Sequence, residues 1–114
     1  SPDHGITLTH LDMLRSETDA KGKPLKVITL EAPTQIRKKW LNNEFAAGYI
    51  GFYICNDAVI VQTFGDERTD SEAQSELAAV FPKREIVPLA IDGIAAGGGS
   101  IHCATQQQPL AKVA

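Results

Sequence analysis

The stretch from residue 49 to residue 90 constrains the fold most, because its patterning changes from strand to helix and back within a short distance. Tyr49–Cys55 is a β-rich, aromatic run, Asn56-Asp57 is a turn-forming pair, and Ala58–Phe64 is a second β-rich run. Two strands joined by so short a turn predict a β-hairpin. This hairpin is the strongest local signal in the chain.

A helix and another strand follow the hairpin. Thr69 and Glu72 stand three residues apart and fit a capping box at a helix start. Apolar residues then recur at helical spacing as far as Pro82, which closes the helix: Ala73, Leu77, Val80 and Phe81. Arg84–Ala90 predicts a strand. The order gives an α/β fold with β–β–α–β as its central unit.

Weaker patterns lie on the N-terminal side of this unit. An amphipathic helix is predicted over about residues 5–18 from three leucines at helical spacing, Leu8, Leu11 and Leu14. Residues 19–24 contain Gly and Pro and end that helix. Leu25–Glu31 predicts a strand, and residues 32–47 a loop with a short helical turn near Lys39.

The C-terminal side is shorter. Ile91–Ala96 predicts a connecting turn, and Ser100–Ala104 a last short strand that is entered from three glycines. The whole chain, residues 1–114, has the length of one compact domain.

Composition excludes several classes of function. The net charge is −3, and the basic residues are scattered in short groups, whereas nucleic-acid binders concentrate them on one face. No run approaches the roughly 18 apolar residues that cross a bilayer, and no signal peptide opens the chain. The two cysteines do not form a disulfide framework, so we interpret both as free thiols in a cytoplasmic protein.

The sequence Gly97-Gly98-Gly99-Ser100-Ile101-His102-Cys103 holds the main candidate for chemistry. Consecutive glycines are costly to order, and they are typical of places where backbone approaches a ligand closely or takes positive φ. A cysteine at the edge of such an approach is a candidate nucleophile, provided that it is held as a thiolate. The alternative is a buried core thiol, since free cysteine is among the most buried residue types. The residues alone leave both interpretations open.

Other candidate residues favour structural roles. In an extended strand His102 and Cys103 would face apart, so we expect His102 to pack rather than to act as a base. His4 and His10 are interpreted as surface residues, and Cys55 as a core thiol of the hairpin. A metal cluster is conceivable at Asp66, Glu67 and Asp70, but acidic residues at this point more often serve a helix N-terminus.

The sequence from Gly97 to Pro109 closely resembles the C-terminal signature of agmatine deiminases and related bacterial peptidylarginine deiminases, usually Gly-Gly-Gly-Asn-Ile-His-Cys-Ile-Thr-Gln-Gln-Gln-Pro. Ser100 and Ala104 are the two departures. Shorter matches extend the resemblance over nearly the whole chain: residues 19–25, 52–56, 64–66 and 81–82.

This resemblance implies a five-bladed α/β propeller, the pentein fold, of which the chain would supply about one and a half blades. It implies a hydrolase of polyamine biosynthesis that acts on a small guanidine without metal or cofactor. Its cysteine attacks the guanidinium carbon, ammonia leaves, and water hydrolyses the thiouronium intermediate. Cys103 matches that cysteine, and the backbone of Gly97, Gly98 and Gly99 is expected to contact substrate.

The chain also departs from the family pattern. It has no Gly-His-x-Asp motif, which carries the family's acid–base histidine, and the early substrate carboxylates have no match either. Before the hairpin the family has Ser-Tyr-x-Asn-Phe, whereas this chain has Gly48-Tyr49-Ile50-Gly51-Phe52. We therefore expect the chain to be inactive alone. We also expect surfaces left exposed around Ile50–Ile54 and Val59–Phe64, or on the helices that would abut adjacent blades, to favour a homodimer.

Overall fold

A three-stranded sheet forms the centre of the fold in the computed structural model, which describes residues 3–112. The strands β1 (Tyr53–Ile54), β2 (Ala58–Thr63) and β3 (Glu85–Ala90) lie in that spatial order. β1 is antiparallel to β2, and β3 is parallel to it in a register that sets Ala58 opposite Glu85. The predicted hairpin and the predicted β–β–α–β unit are confirmed, except that the first strand is limited to Tyr53–Ile54 where Tyr49–Cys55 was predicted.

Helix α2 (Glu67–Val80) makes the crossover between the two parallel strands. Its N-cap is Asp66, whose side chain accepts from the Thr69 backbone N–H. The predicted capping box at Thr69 and Glu72 is therefore wrong by one turn, because the helix begins three residues earlier than that motif assumes. Asp66 also accepts from the backbone N–H and hydroxyl of Thr34, at 2.9 and 2.8 Å. These bonds lower the pKa of Asp66 and attach the preceding loop to the helix.

The hydrophobic core lies between α2 and one face of the sheet. Val59 and Val61 project from β2 onto Ala73 and Leu77 of α2, and Tyr49 and Phe64 complete the buried cluster. The Tyr49 hydroxyl donates to Asp70 Oδ1 at 2.7 Å within this core. Burial, together with that hydrogen bond, raises the pKa of Tyr49. Since β2 is the central strand, the exposed edge predicted at Val59–Phe64 is wrong.

The N-terminal segments agree to different degrees with the structures predicted for them from the sequence. Helix α1 (His4–Ser16) forms as predicted, but none of its residues is buried, so its apolar stripe has no packed counterpart in the described part of the chain. Residues 25–31 form no strand, because a strand needs a partner and none pairs with them within residues 3–112. The predicted loop at 32–47 and its turn are confirmed, with a 3-10 turn at Lys38–Trp40.

Two C-terminal predictions are wrong. Residues 91–96 are a short helix, α3 (Asp92–Ala96), rather than a plain turn. The predicted strand at Ser100–Ala104 is a 3-10 turn, His102–Ala104, since its backbone hydrogen bonds are local or go to Gly51 rather than to a strand. Among the described residues, no helix combines the length and apolar character required to span a bilayer.

Candidate active site

The candidate site is built on the segment that links α3 to the 3-10 turn. The N–H groups of Gly97 and Gly99 donate to the carbonyl of Ile94, and that of Gly98 donates to Ala95, so the glycines end the helix. Gly98 has φ +87°, a left-handed conformation that favours glycine. Because these three N–H groups are engaged, a substrate contact at Gly97, Gly98 or Gly99 would fall to their carbonyl oxygens.

Cys103 is exposed, in contrast to a core thiol. It lies beside Gly99, where an added Cβ would stand 3.4 Å from Cys103 Cβ and 3.7 Å from its Sγ. The cysteine opens onto a cleft of about 300 Å³ whose walls are small or apolar, and which Gly48, Ile50 and Gly98 also line. The thiol is thus accessible, and apart from Ile50 its neighbours in the cleft are glycine, alanine and serine.

The cleft offers Cys103 no charged neighbour. Of the described residues that line it, Cys103 is the single ionisable one. His102 turns to the other side of the segment, where its ring meets Tyr53 edge-on with centroids 6.3 Å apart. His102 is exposed, so that its role as a packing residue rather than a base stays a prediction, and the strand geometry used to reach it is wrong. His4 and His10 are exposed on α1, as predicted.

The second face of the sheet supports the segment that carries Cys103. Gln62 of β2 is 2% exposed and its Oε1 lies 3.1 Å from Ser100 Oγ. The Ser100 hydroxyl also lies 3.2 Å from the carbonyl of Gly51, which accepts the His102 N–H at 3.0 Å. Sequence reasoning missed Gln62, and the available signal was a lone amide inside the apolar run Ala58–Phe64.

Gly51 and Ser100 are also two of the positions where the chain departs from the family pattern. A Cβ on Gly51 would overlap the Ser100 side chain, and no such overlap arises at Gly48, where nothing lies within 4 Å. The two departures are therefore in direct contact, and the small residue at one makes room for the other.

The remaining candidates lie elsewhere. Cys55 is half-buried at the hairpin turn, outside the buried cluster, so its prediction as a core thiol is wrong. The turn exposes that end of β1, and the Cys55 carbonyl accepts from Arg84 Nε at 3.0 Å. The acidic residues Asp66, Glu67 and Asp70 serve the start of α2, and no metal-binding cluster occurs within residues 3–112.

Comparison with known proteins gives one consistent result. A family model for Porphyromonas-type peptidyl-arginine deiminase matches residues 1–109. A Streptomyces coelicolor protein named "Putative agmatine deiminase" is 40% identical over 109 residues, which covers 95% of this chain and 31% of that protein.

The structural comparison agrees. The chain superposes on the agmatine deiminase of Enterococcus faecalis with a TM-score of 0.81 and 32% identity. The match covers 96% of this chain and 34% of that enzyme. The chain thus spans about a third of the length of these relatives.

Proposed function

Because the chain belongs to the Porphyromonas-type peptidyl-arginine deiminase family, we propose that it is the nucleophile-bearing, C-terminal part of a guanidine deiminase, with Cys103 as the nucleophile. The observation that supports this most is the position of Cys103: exposed, on a tight turn, beside a glycine-bordered cleft. A small planar cation can reach an exposed thiol in such a setting, whereas it cannot reach a thiol buried in the core.

The chemistry follows from a thiolate and a guanidinium. Cys103 Sγ forms a bond to the guanidinium carbon, the bond from that carbon to one nitrogen breaks, and the protonated nitrogen leaves as ammonia. Water then attacks the thiouronium carbon and the carbon–sulfur bond breaks, which releases a ureido product and restores the thiolate. Three proton transfers are needed: one to the leaving nitrogen, one from the water as it attacks, and one from the resulting hydroxyl as the carbon–sulfur bond breaks and the carbonyl forms.

The chain alone does not supply all the groups that this reaction requires. A guanidinium is held by carboxylates through charge-assisted hydrogen bonds, and an acid–base group contributes typically 10²–10⁴ in rate. The cleft beside Cys103 is lined by neither among the described residues. We propose that these groups belong to parts of the relatives that this chain, at about a third of their length, does not match.

The substrate we propose is agmatine or a similar small guanidine, since both relatives described above carry the agmatine deiminase name. The family model is described for peptidyl-arginine instead, and a peptidyl substrate is therefore the second candidate. We further propose that the chain forms about one and a half of the five blades of a pentein propeller. We also propose that the protein is cytoplasmic.

Labelling with 2-chloroacetamidine tests the assignment of the nucleophile. The reagent carries an amidinium that resembles the guanidinium of the substrate, and it alkylates a reactive thiolate. Peptide mapping by mass spectrometry then locates the label. We expect Cys103 to be alkylated before Cys55, and Cys103→Ala to abolish the fast phase. A labelled Cys55 beside an unlabelled Cys103 would overturn the proposal.

Two rival functions make different predictions in the same experiments. A non-catalytic domain that kept the glycine segment as a scaffold predicts an inert Cys103. A free-standing cysteine hydrolase or transferase predicts turnover by these 114 residues alone that is lost in Cys103→Ala.

A further inference from the structure

We propose that Gln62 and Ser100 are positioning residues for Cys103: together they tie the turn that carries the thiol to the central strand of the sheet. The functional consequence rests on the proposed role of Cys103, but the structural tie can be measured independently of it.

The first observation is the burial of Gln62. Its side chain stands on the sheet face opposite the core, because it alternates with Val61, which faces α2. It is 2% exposed, and its Nε2 has no hydrogen-bond partner within residues 3–112. A buried amide N–H without an acceptor destabilises the folded state, because the group has lost its hydrogen bonds to water. A hydrocarbon side chain would fill this place more favourably unless the amide has a use.

The second observation is the hydroxyl of Ser100, which has one proton but two apparent acceptors. They are Gln62 Oε1 at 3.1 Å and the Gly51 carbonyl at 3.2 Å. The two ends of an amide side chain have the same shape, and their assignment follows from the hydrogen-bond network. With the Gln62 amide turned over, Nε2 donates to Ser100 Oγ and Ser100 donates to Gly51. The Ser100 hydroxyl proton then has a single acceptor, and the buried amide atom without a partner among the described residues is the Gln62 carbonyl oxygen instead of its nitrogen.

The third observation is what this chain of hydrogen bonds holds. The Gly51 carbonyl accepts from Ser100 and, at 3.0 Å, from the backbone N–H of His102. Ile101 between them is buried at 6% exposure, and its carbonyl accepts the Ala104 N–H at 3.0 Å. The backbone on both sides of Cys103 is therefore fixed, although the cysteine itself is exposed. Gln62 and Ser100 act on the thiol through that backbone.

Amide hydrogen exchange tests the tie directly. In Gln62→Leu and in Ser100→Ala we expect the His102 N–H to exchange about three- to tenfold faster, the range that corresponds to one lost hydrogen bond. Amide exchange at Val59 and Val61 in the core should stay unchanged. In the double variant the His102 N–H should exchange no faster than in either single variant. Matched controls are Gln74→Leu, which removes an amide bonded to the Asp70 carbonyl, and Ser75→Ala on the exposed face of α2.

Thiol reactivity supplies the readout that a purely structural role would leave unchanged. The ratio of Cys103 to Cys55 alkylation by 2-chloroacetamidine should fall about three- to tenfold in both variants, whereas general loosening would speed both thiols. Ser100→Ala removes one oxygen and decides the test even if Gln62→Leu fails to fold. If this variant leaves both the His102 exchange rate and the ratio of Cys103 to Cys55 alkylation unchanged, the inference is overturned. If wild-type Cys103 is no faster than Cys55, the proposed function fails, while the exchange result still decides the tie.

Discussion

Replacing Gly51 by alanine tests how closely the Cys103 segment is fitted to the sheet. A Cβ at this position would overlap Ser100 Cβ and Oγ, and the first of these is bound directly to the backbone. The clash cannot be relieved by a rotation of Ser100 alone. The segment from Gly99 to Cys103 would have to move, with loss of the Ser100 and His102 hydrogen bonds to the Gly51 carbonyl.

The expected change in the free energy of unfolding of Gly51→Ala follows from effects of opposite sign. Overpacking costs typically about 1–3 kcal/mol, and a lost hydrogen bond about 0.5–1.5 kcal/mol. Gly51 is not at positive φ, so a smaller entropy in the unfolded chain returns about 0.4–1 kcal/mol. We expect Gly51→Ala to lower the free energy of unfolding by about 1–3 kcal/mol. Gly48→Ala meets no atom within 4 Å, and should be neutral or stabilising by a few tenths of a kcal/mol.

Urea unfolding followed by tryptophan fluorescence and far-UV circular dichroism measures both variants. Ser100→Gly removes the overlapping atoms, so Gly51→Ala should cost much less in that background than in the wild type. Equal stabilities of Gly51→Ala and Gly48→Ala, or the same loss with and without Ser100→Gly, would refute the fit deduced from these contacts.

Three further predictions concern pH, activity and assembly. The hydrogen bonds from Thr34 and the helix N-terminus lower the pKa of Asp66 in the folded state. The stability that Asp66 contributes is therefore present at pH values above its unfolded pKa, near 4, and is lost as the pH falls below that pKa. Asp66→Asn should make stability depend less on acid pH, and identical acid unfolding curves for the variant and the wild type would contradict this role of Asp66. The isolated chain should form no ureido product from agmatine, and product that disappears in Cys103→Ala would contradict this. The chain should self-associate through Ile50, 83% exposed, or through the outer edge of β3 near Leu89; a monomer by light scattering at all concentrations would exclude this.

The centre of the fold was predictable because its signals are local. The turn pair Asn56-Asp57 joins two runs of high β propensity, and apolar residues of α2 recur at helical spacing from Ala73 onward. The start of α2 was predicted less accurately because Asp66 and Thr69 both belong to the residue types that cap helices. The sequence pattern shows that a cap exists but does not select between them.

Other parts depended on contacts that a sequence pattern does not contain. Residues 25–31 have strand-like composition, but pairing requires a second strand at the right distance. The segment with Cys103 looks extended, yet its conformation is set by hydrogen bonds to Gly51, some 50 residues away along the chain. The candidate nucleophile was identifiable from its motif, whereas its support by Gln62 required the structure.

A chimera tests the central claim, that Cys103 is the nucleophile of a guanidine deiminase, most directly. This chain would replace the matching third of the Enterococcus faecalis agmatine deiminase, with Cys103 intact or changed to serine, and ureido product from agmatine would be measured. We predict product from the Cys103 chimera and none from Cys103→Ser with the same melting temperature. Equal turnover by both chimeras, or a folded Cys103 chimera that binds agmatine without converting it, would contradict the claim.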